Sequence, residues 1–180
     1  MLSFLKYNHT TKHTNSPSCS SSTKAEDKTQ ESDNAKLFLD FLFKIFMNIA
    51  QHDECGIELE EEEDLMEEVQ TDFLDIILKV FQNLDCEPIC FLLGLLYFEK
   101  YIKITGEFDI VQYEEDLLCC IVLASKMLED NYWSTKRYAE ILEIEAYKEF
   151  IKAETKILNS LNFELHIPKE TLESFIQSHR

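Results

Sequence analysis

The sequence has little of what turns and sheets require. It holds 3 Gly and 3 Pro in 180 residues. Tight hairpin turns and bulges draw on these residues, so their scarcity argues against a sheet-rich fold. Basic residues are also scarce. Against 35 Asp and Glu stand 17 Lys and Arg, a formal net charge of -18. Such a chain repels phosphate backbones and anionic lipid surfaces, so neither nucleic acid nor a membrane is an expected partner. No apolar run reaches the ~20 residues of a membrane-spanning helix. The start, MLSFLKYNHT, has one Lys and a short apolar patch, and makes a poor signal peptide.

Catalytic patterns are missing as well. There is no Gly-rich phosphate loop, no nucleophile elbow and no HExxH pair. The five His (His9, His13, His52, His166 and His179) are placed by pattern in tails or loops. The six Cys (Cys19, Cys55, Cys86, Cys90, Cys119 and Cys120) lack the paired Cys-x-x-Cys spacing of a zinc site. With no signal peptide they read as unbridged thiols in a reducing compartment, nucleus or cytoplasm. No catalytic residue, metal or cofactor is expected.

What remains is helical periodicity. Residues 1–34 are rich in Ser, Thr, Lys and Asn and cannot offset their ordering entropy, so a disordered tail is expected. Ser16, before Pro17, is a candidate phosphosite in it. Residues 35–64 hold a flanking helix, capped by Asp33 or Asn34, and an acidic loop. No Lys or Arg occurs from Ile45 to Leu78. Further helical patterns cover about 64–84, then 86–105, capped by Asp85 with Pro88 in its first turn, then 113–129, 135–142 and 146–161. Ser134 is placed to cap the short fifth pattern, and Pro168 opens a final helix. The third and fourth patterns are apolar on most sides, so the others should wrap them. The expected class is all-α.

One residue disturbs that pattern. Lys126 sits near the end of the apolar run of the fourth helix, with Leu123 and Val122 one turn before it. Glu154 stands 28 residues later on another apolar strip, between Phe150, Ile151, Ile157 and Leu158. Two opposite charges on two oily faces have three readings. Lys126 can reach water along its stem, the two can form a structural ion pair, or both can line a groove that takes a partner helix. Periodicity does not choose among them.

Residue identities add more. LASKMLEDNYWSTKRYAEIL, followed by KAETKILNSLNFEL, resembles the cyclin box. In that family an A-S-K helix precedes an acidic pair, a short helix, and a helix whose Glu lies nine residues before the aromatic of L-x-F-x-L. Glu154 and Phe163 have that interval. LLYFEKYI at 95–102 resembles the family's Y-[LIV]-D-R segment, with Glu99-Lys100 in place of Asp-Arg. The likeness covers about residues 65–167 and is greatest to the phosphate-regulation (Pho/Pcl) and cyclin Y groups. Fifteen residues follow Leu165, so a single box is expected, with 168–180 as a C-terminal helix.

The resemblance implies a cyclin fold: one five-helix box with a flanking N-terminal helix and a short C-terminal one. It implies a regulatory subunit that binds and activates a cyclin-dependent protein kinase, without catalysis of its own. Lys126 and Glu154 fall on the family's kinase-contacting Lys and Glu. Leu123, Met127, Leu158, Phe163 and Leu165 fall on the apolar positions around them. The substrate-docking patch is altered, because Glu67 stands at its Arg and Gln70 at a Leu. Competing readings are a cyclin-fold transcription adaptor, disfavoured by the charge, and a divergent helical interaction protein without kinase binding.

Overall fold

Seven helices and no strand make up the regular structure of the described residues, 24–52, 63–84, 86–106, 108–110, 113–130 and 133–180, of this computed structural model. They are α1 (Lys24–His52), α2 (Glu63–Asn83), α3 (Pro88–Thr105), α4 (Glu114–Leu128), α5 (Thr135–Ile141), α6 (Tyr147–Ser160) and α7 (Lys169–Ser178). The chain divides into two units, up to Asp40 and Phe41–Arg180.

In the first unit, residues 24–40 form the beginning of α1. The helix starts at Lys24, not at Ala35 behind a cap at Asp33 or Asn34. The cause is local propensity. Ala25, Glu26, Lys28, Gln30 and Glu31 are good helix formers, and lengthening an existing helix avoids the nucleation cost. Ser16 and Cys19 lie outside the described residues, as do Cys55 and most of the acidic loop.

In the second unit, α3 is the centre. Every residue from Cys90 to Phe98 is buried. It packs on α4, α6 and α7, and α4 packs in turn on α2 and α6. α3 and α4 pass close together at Gly94. A Cβ there would lie 2.8 Å from Ile121 Cγ1 and 2.9 Å from Ile121 Cα. The absent side chain therefore sets how near α3 and α4 can pass.

The later part of α1 belongs to this core. Phe46 is fully buried, with its ring 4.6 Å from Tyr113, 4.9 Å from Phe73 and 6.2 Å from Phe98. These are ordinary separations for favourable aromatic pairs. His52 is the last residue of α1 rather than a loop residue. His179 follows α7 and is buried. Its Nδ1 lies 2.8 Å from the Phe175 carbonyl, which it satisfies as an N–H donor at the helix end.

Helix ends follow local chemistry. Pro88 opens α3 behind an extended Glu87 that makes no side-chain cap bond. The expected cap, Asp85, lies outside the described residues. Pro lacks an N–H and holds its predecessor extended, so it fixes this start without a capping side chain. Ser134 does cap α5, accepting from Arg137 N at 3.3 Å. That helix closes with Ile144 N–H on Ala139 O and Glu143 N–H on Glu140 O, a closure that puts Glu143 in the left-handed region at φ 53. Glu143→Gly removes that strain and is expected to raise stability by about 0.5–1 kcal/mol in urea titration. An unchanged midpoint would mean that Glu143 carries no such strain.

None of Cys86, Cys90, Cys119 and Cys120 forms a disulfide. Burial pushes the Cys119 and Cys120 thiols up, and the neighbouring Cys86 and burial push Cys90 up. A raised thiol stays protonated, so all three should resist alkylation at about pH 9, where an ordinary thiol near 8.5 is largely ionised. Mass mapping with and without urea checks this. Native labelling of any of the three would contradict it.

Candidate functional site

Three elements meet where the two unexpected charges lie. Lys126 is in the last turn of α4, where the helix dipole favours a cation. Glu154 is in the middle of α6, on the same stripe as Phe150, Ile157 and Leu161, all buried. Thr135 is the first residue of α5.

The Lys126 ammonium donates to Glu154 Oε1, closing an ion pair between α4 and α6. It also donates to Thr135 Oγ1 at 2.7 Å. The Thr135 hydroxyl in turn donates to Glu154 Oε2. Below them, Tyr138 of α5 places its ring centroid 5.5 Å from Lys126 Nζ, and its hydroxyl shares a 3.1 Å hydrogen bond with Ser125 Oγ. The side chains of Lys126 and Glu154 keep 18% and 10% of their surface. The pair is thus nearly desolvated, but its outer edge remains open. Its polar capacity is not used up: the ammonium has a third N–H, and each carboxylate oxygen a second lone pair.

Apolar residues on the same elements divide by depth. Leu123, one turn before Lys126, is buried and part of the core. Leu158 and Leu165 are half-buried. Met127 at 47% and Phe163 at 65% are exposed, as are Ile151 on α6 and Trp133 just before α5. Phe163 is the third residue past α6. Asn162 and Phe163 both have positive φ, 51 and 59, as the chain turns sharply to leave the helix. The exit that follows is anchored where the buried Tyr97 hydroxyl donates to Leu165 O at 2.5 Å. An aromatic side chain held outward on a strained backbone has a cost that packing inside this chain does not offset.

Lys126 and Glu154 could be found in the sequence as charges on oily faces. Thr135, Tyr138, Ser125 and Trp133 could not. Thr135 was visible only as the first residue of a capped helix. That its hydroxyl reaches both charges depends on where α5 sits between α4 and α6. Among the described residues no group of three or more His, Cys, Asp or Glu could hold a metal ion. Among the described residues no helix is long and apolar enough to cross a membrane.

The family description "Cyclin, N-terminal domain" matches residues 44–166, more than half of the chain. The chain belongs to the cyclin family. Its fold is the cyclin fold: α2–α6 form the five-helix box, flanked by α1 and α7. Similar proteins include cyclin-P3-1 of Oryza sativa subsp. japonica, 28% identical over 98 residues, and cyclin-U4-1 of Arabidopsis thaliana, 25% identical over 99. Each likeness covers 54% of this chain, but 41% of the first relative and 48% of the second. The match thus spans less than half of either. No solved structure gives a significant match. On α2, at the positions that the resemblance gives to a substrate-docking patch, Val69 and Phe73 are buried, Met66 is half-buried, and Glu67 and Gln70 face solvent.

Proposed function

We propose that this cyclin binds and activates a cyclin-dependent protein kinase through α4 and α6, the third and fifth helices of its box. It has no catalytic role of its own. The observation that carries this reading is the Lys126–Glu154 pair, nearly desolvated yet open at its edge, on elements that also expose Met127, Ile151, Trp133 and Phe163. A partner helix can bury that apolar rim while its free backbone C=O and N–H groups meet the ammonium and the carboxylate. Binding energy spent on the kinase's regulatory helix selects the conformation in which its own Lys–Glu pair and magnesium-binding Asp align. Within the family, we read the LEDNYWSTKRYAEI segment as similar to the Pho/Pcl and cyclin Y groups. Both similar plant proteins carry the name cyclin.

The direct test is biolayer interferometry of the full chain against a panel of purified cyclin-dependent kinases, followed by phosphorylation of a general substrate. Submicromolar binding with stimulated activity supports the reading. A chain that binds no kinase but shifts DNA at low salt would make it a nucleic-acid adaptor instead, against its charge of -18. A chain that does neither would be a cyclin fold without kinase binding.

A further inference from the structure

Thr135 touches both charges. Its hydroxyl accepts from Lys126 Nζ at 2.7 Å and donates to Glu154 Oε2. A Lys side chain has four rotatable bonds and Glu has three, so an ion pair alone leaves both heads several arrangements. Thr is stiff at χ1 because it is β-branched. Its backbone is stiff too. Ser134 O accepts from Tyr138 N at 3.0 Å, and the Ser134 side chain caps the helix start. The Tyr138–Ser125 hydrogen bond fastens the same helix to α4. One rigid hydroxyl therefore sets the direction of two flexible charges.

We propose that Thr135 is a positioning residue, which locks Lys126 and Glu154 in the arrangement that receives the kinase. This rests on the kinase-binding reading above. The lock leaves the third ammonium N–H and the outer carboxylate lone pairs for the partner. The partner then meets charges that are already ordered, and their ordering cost does not reduce its affinity. The role is separate from contact: Thr135 acts through its two neighbours.

Thr135→Val keeps the shape and removes the hydroxyl. Thr135→Ser keeps the hydroxyl. Against the kinase that binds the wild-type chain tightest, Thr135→Val is expected to raise Kd by about tenfold, and Thr135→Ser by less than about threefold. A second readout needs no kinase. Lys126 acetylation by acetic anhydride, mapped by mass spectrometry, should rise several-fold in Thr135→Val and return in Thr135→Ser, while the exposed Lys103 and Lys152 stay constant.

Rescue by Ser and a change confined to Lys126 separate positioning from general loss of packing. Wild-type affinity in Thr135→Val, alongside failed binding by Lys126→Ala, overturns the proposal and leaves the kinase reading standing. If the wild-type chain binds no kinase in the panel, the kinase reading fails. The labelling then judges Thr135: unchanged Lys126 acetylation overturns its positioning role, and a selective rise supports it.

Discussion

Lys126→Ala and Glu154→Ala are each expected to weaken kinase binding by about 2–5 kcal/mol, roughly thirtyfold to several thousandfold. The effect is large because the pair is nearly desolvated before any partner arrives. Removing one member strands the other beside apolar side chains, and the partner's backbone groups then lose their complement. Part of that loss is a loss of fold, since an orphaned buried charge is costly in the free chain too. A double variant, Lys126→Met with Glu154→Leu, separates the two. Replacing both charges by apolar groups of similar size should restore most of the stability lost by either single change. It should not restore binding. Circular dichroism melts and interferometry on the same preparations give both quantities. If the double variant binds like wild type, the pair serves the fold alone.

Gly94→Ala is expected to destabilise the chain by roughly 2 kcal/mol, most of what overpacking of a core helix contact costs. On an open helix this change would gain about 1 kcal/mol, because Ala is the better helix former. Here the new methyl meets the Ile121 backbone at 2.9 Å, together with its side chain at 2.8 Å. A side chain can rotate away, whereas a helix backbone moves only as a unit. α3 and α4 must therefore separate along the centre of the core. The melting temperature should fall by about 4–8 °C for a chain of this size. Gly94→Val should cost more. A wild-type melt for Gly94→Ala would show that the two helices can part without loss. Kinase affinity should also fall in Gly94→Ala, because α4 carries Lys126 and α6 packs against α3 as well as α4.

The helices themselves were legible because each rests on local information. Three-four spacing, Pro88, Gly106 and the Ser134 cap place α5 within one residue and α3 within two residues of their observed limits. The start of α1 was misplaced because its first residues form helix by propensity and carry no apolar stripe to read. The apolar face of α1 was plain, but not that Phe46 enters a cluster of rings from α2, α3 and the residue before α4. Nor could periodicity divide the apolar residues of the site. Leu123 and Met127 lie one turn apart on α4, yet one is core and the other is exposed. That division depends on what packs over the end of the helix.

By itself the sequence determined an all-α cyclin fold, because hydrophobic spacing and the order of the motifs are properties of the chain. It also marked Lys126 and Glu154, since a charge on an oily face is visible without coordinates. Only the tertiary structure decided that these two meet, and that Thr135 joins them. The three residues come from three helices, and their contact depends on how closely α4 and α6 approach and where the short α5 lies between them. Packing sets those distances, and no spacing within one helix encodes them.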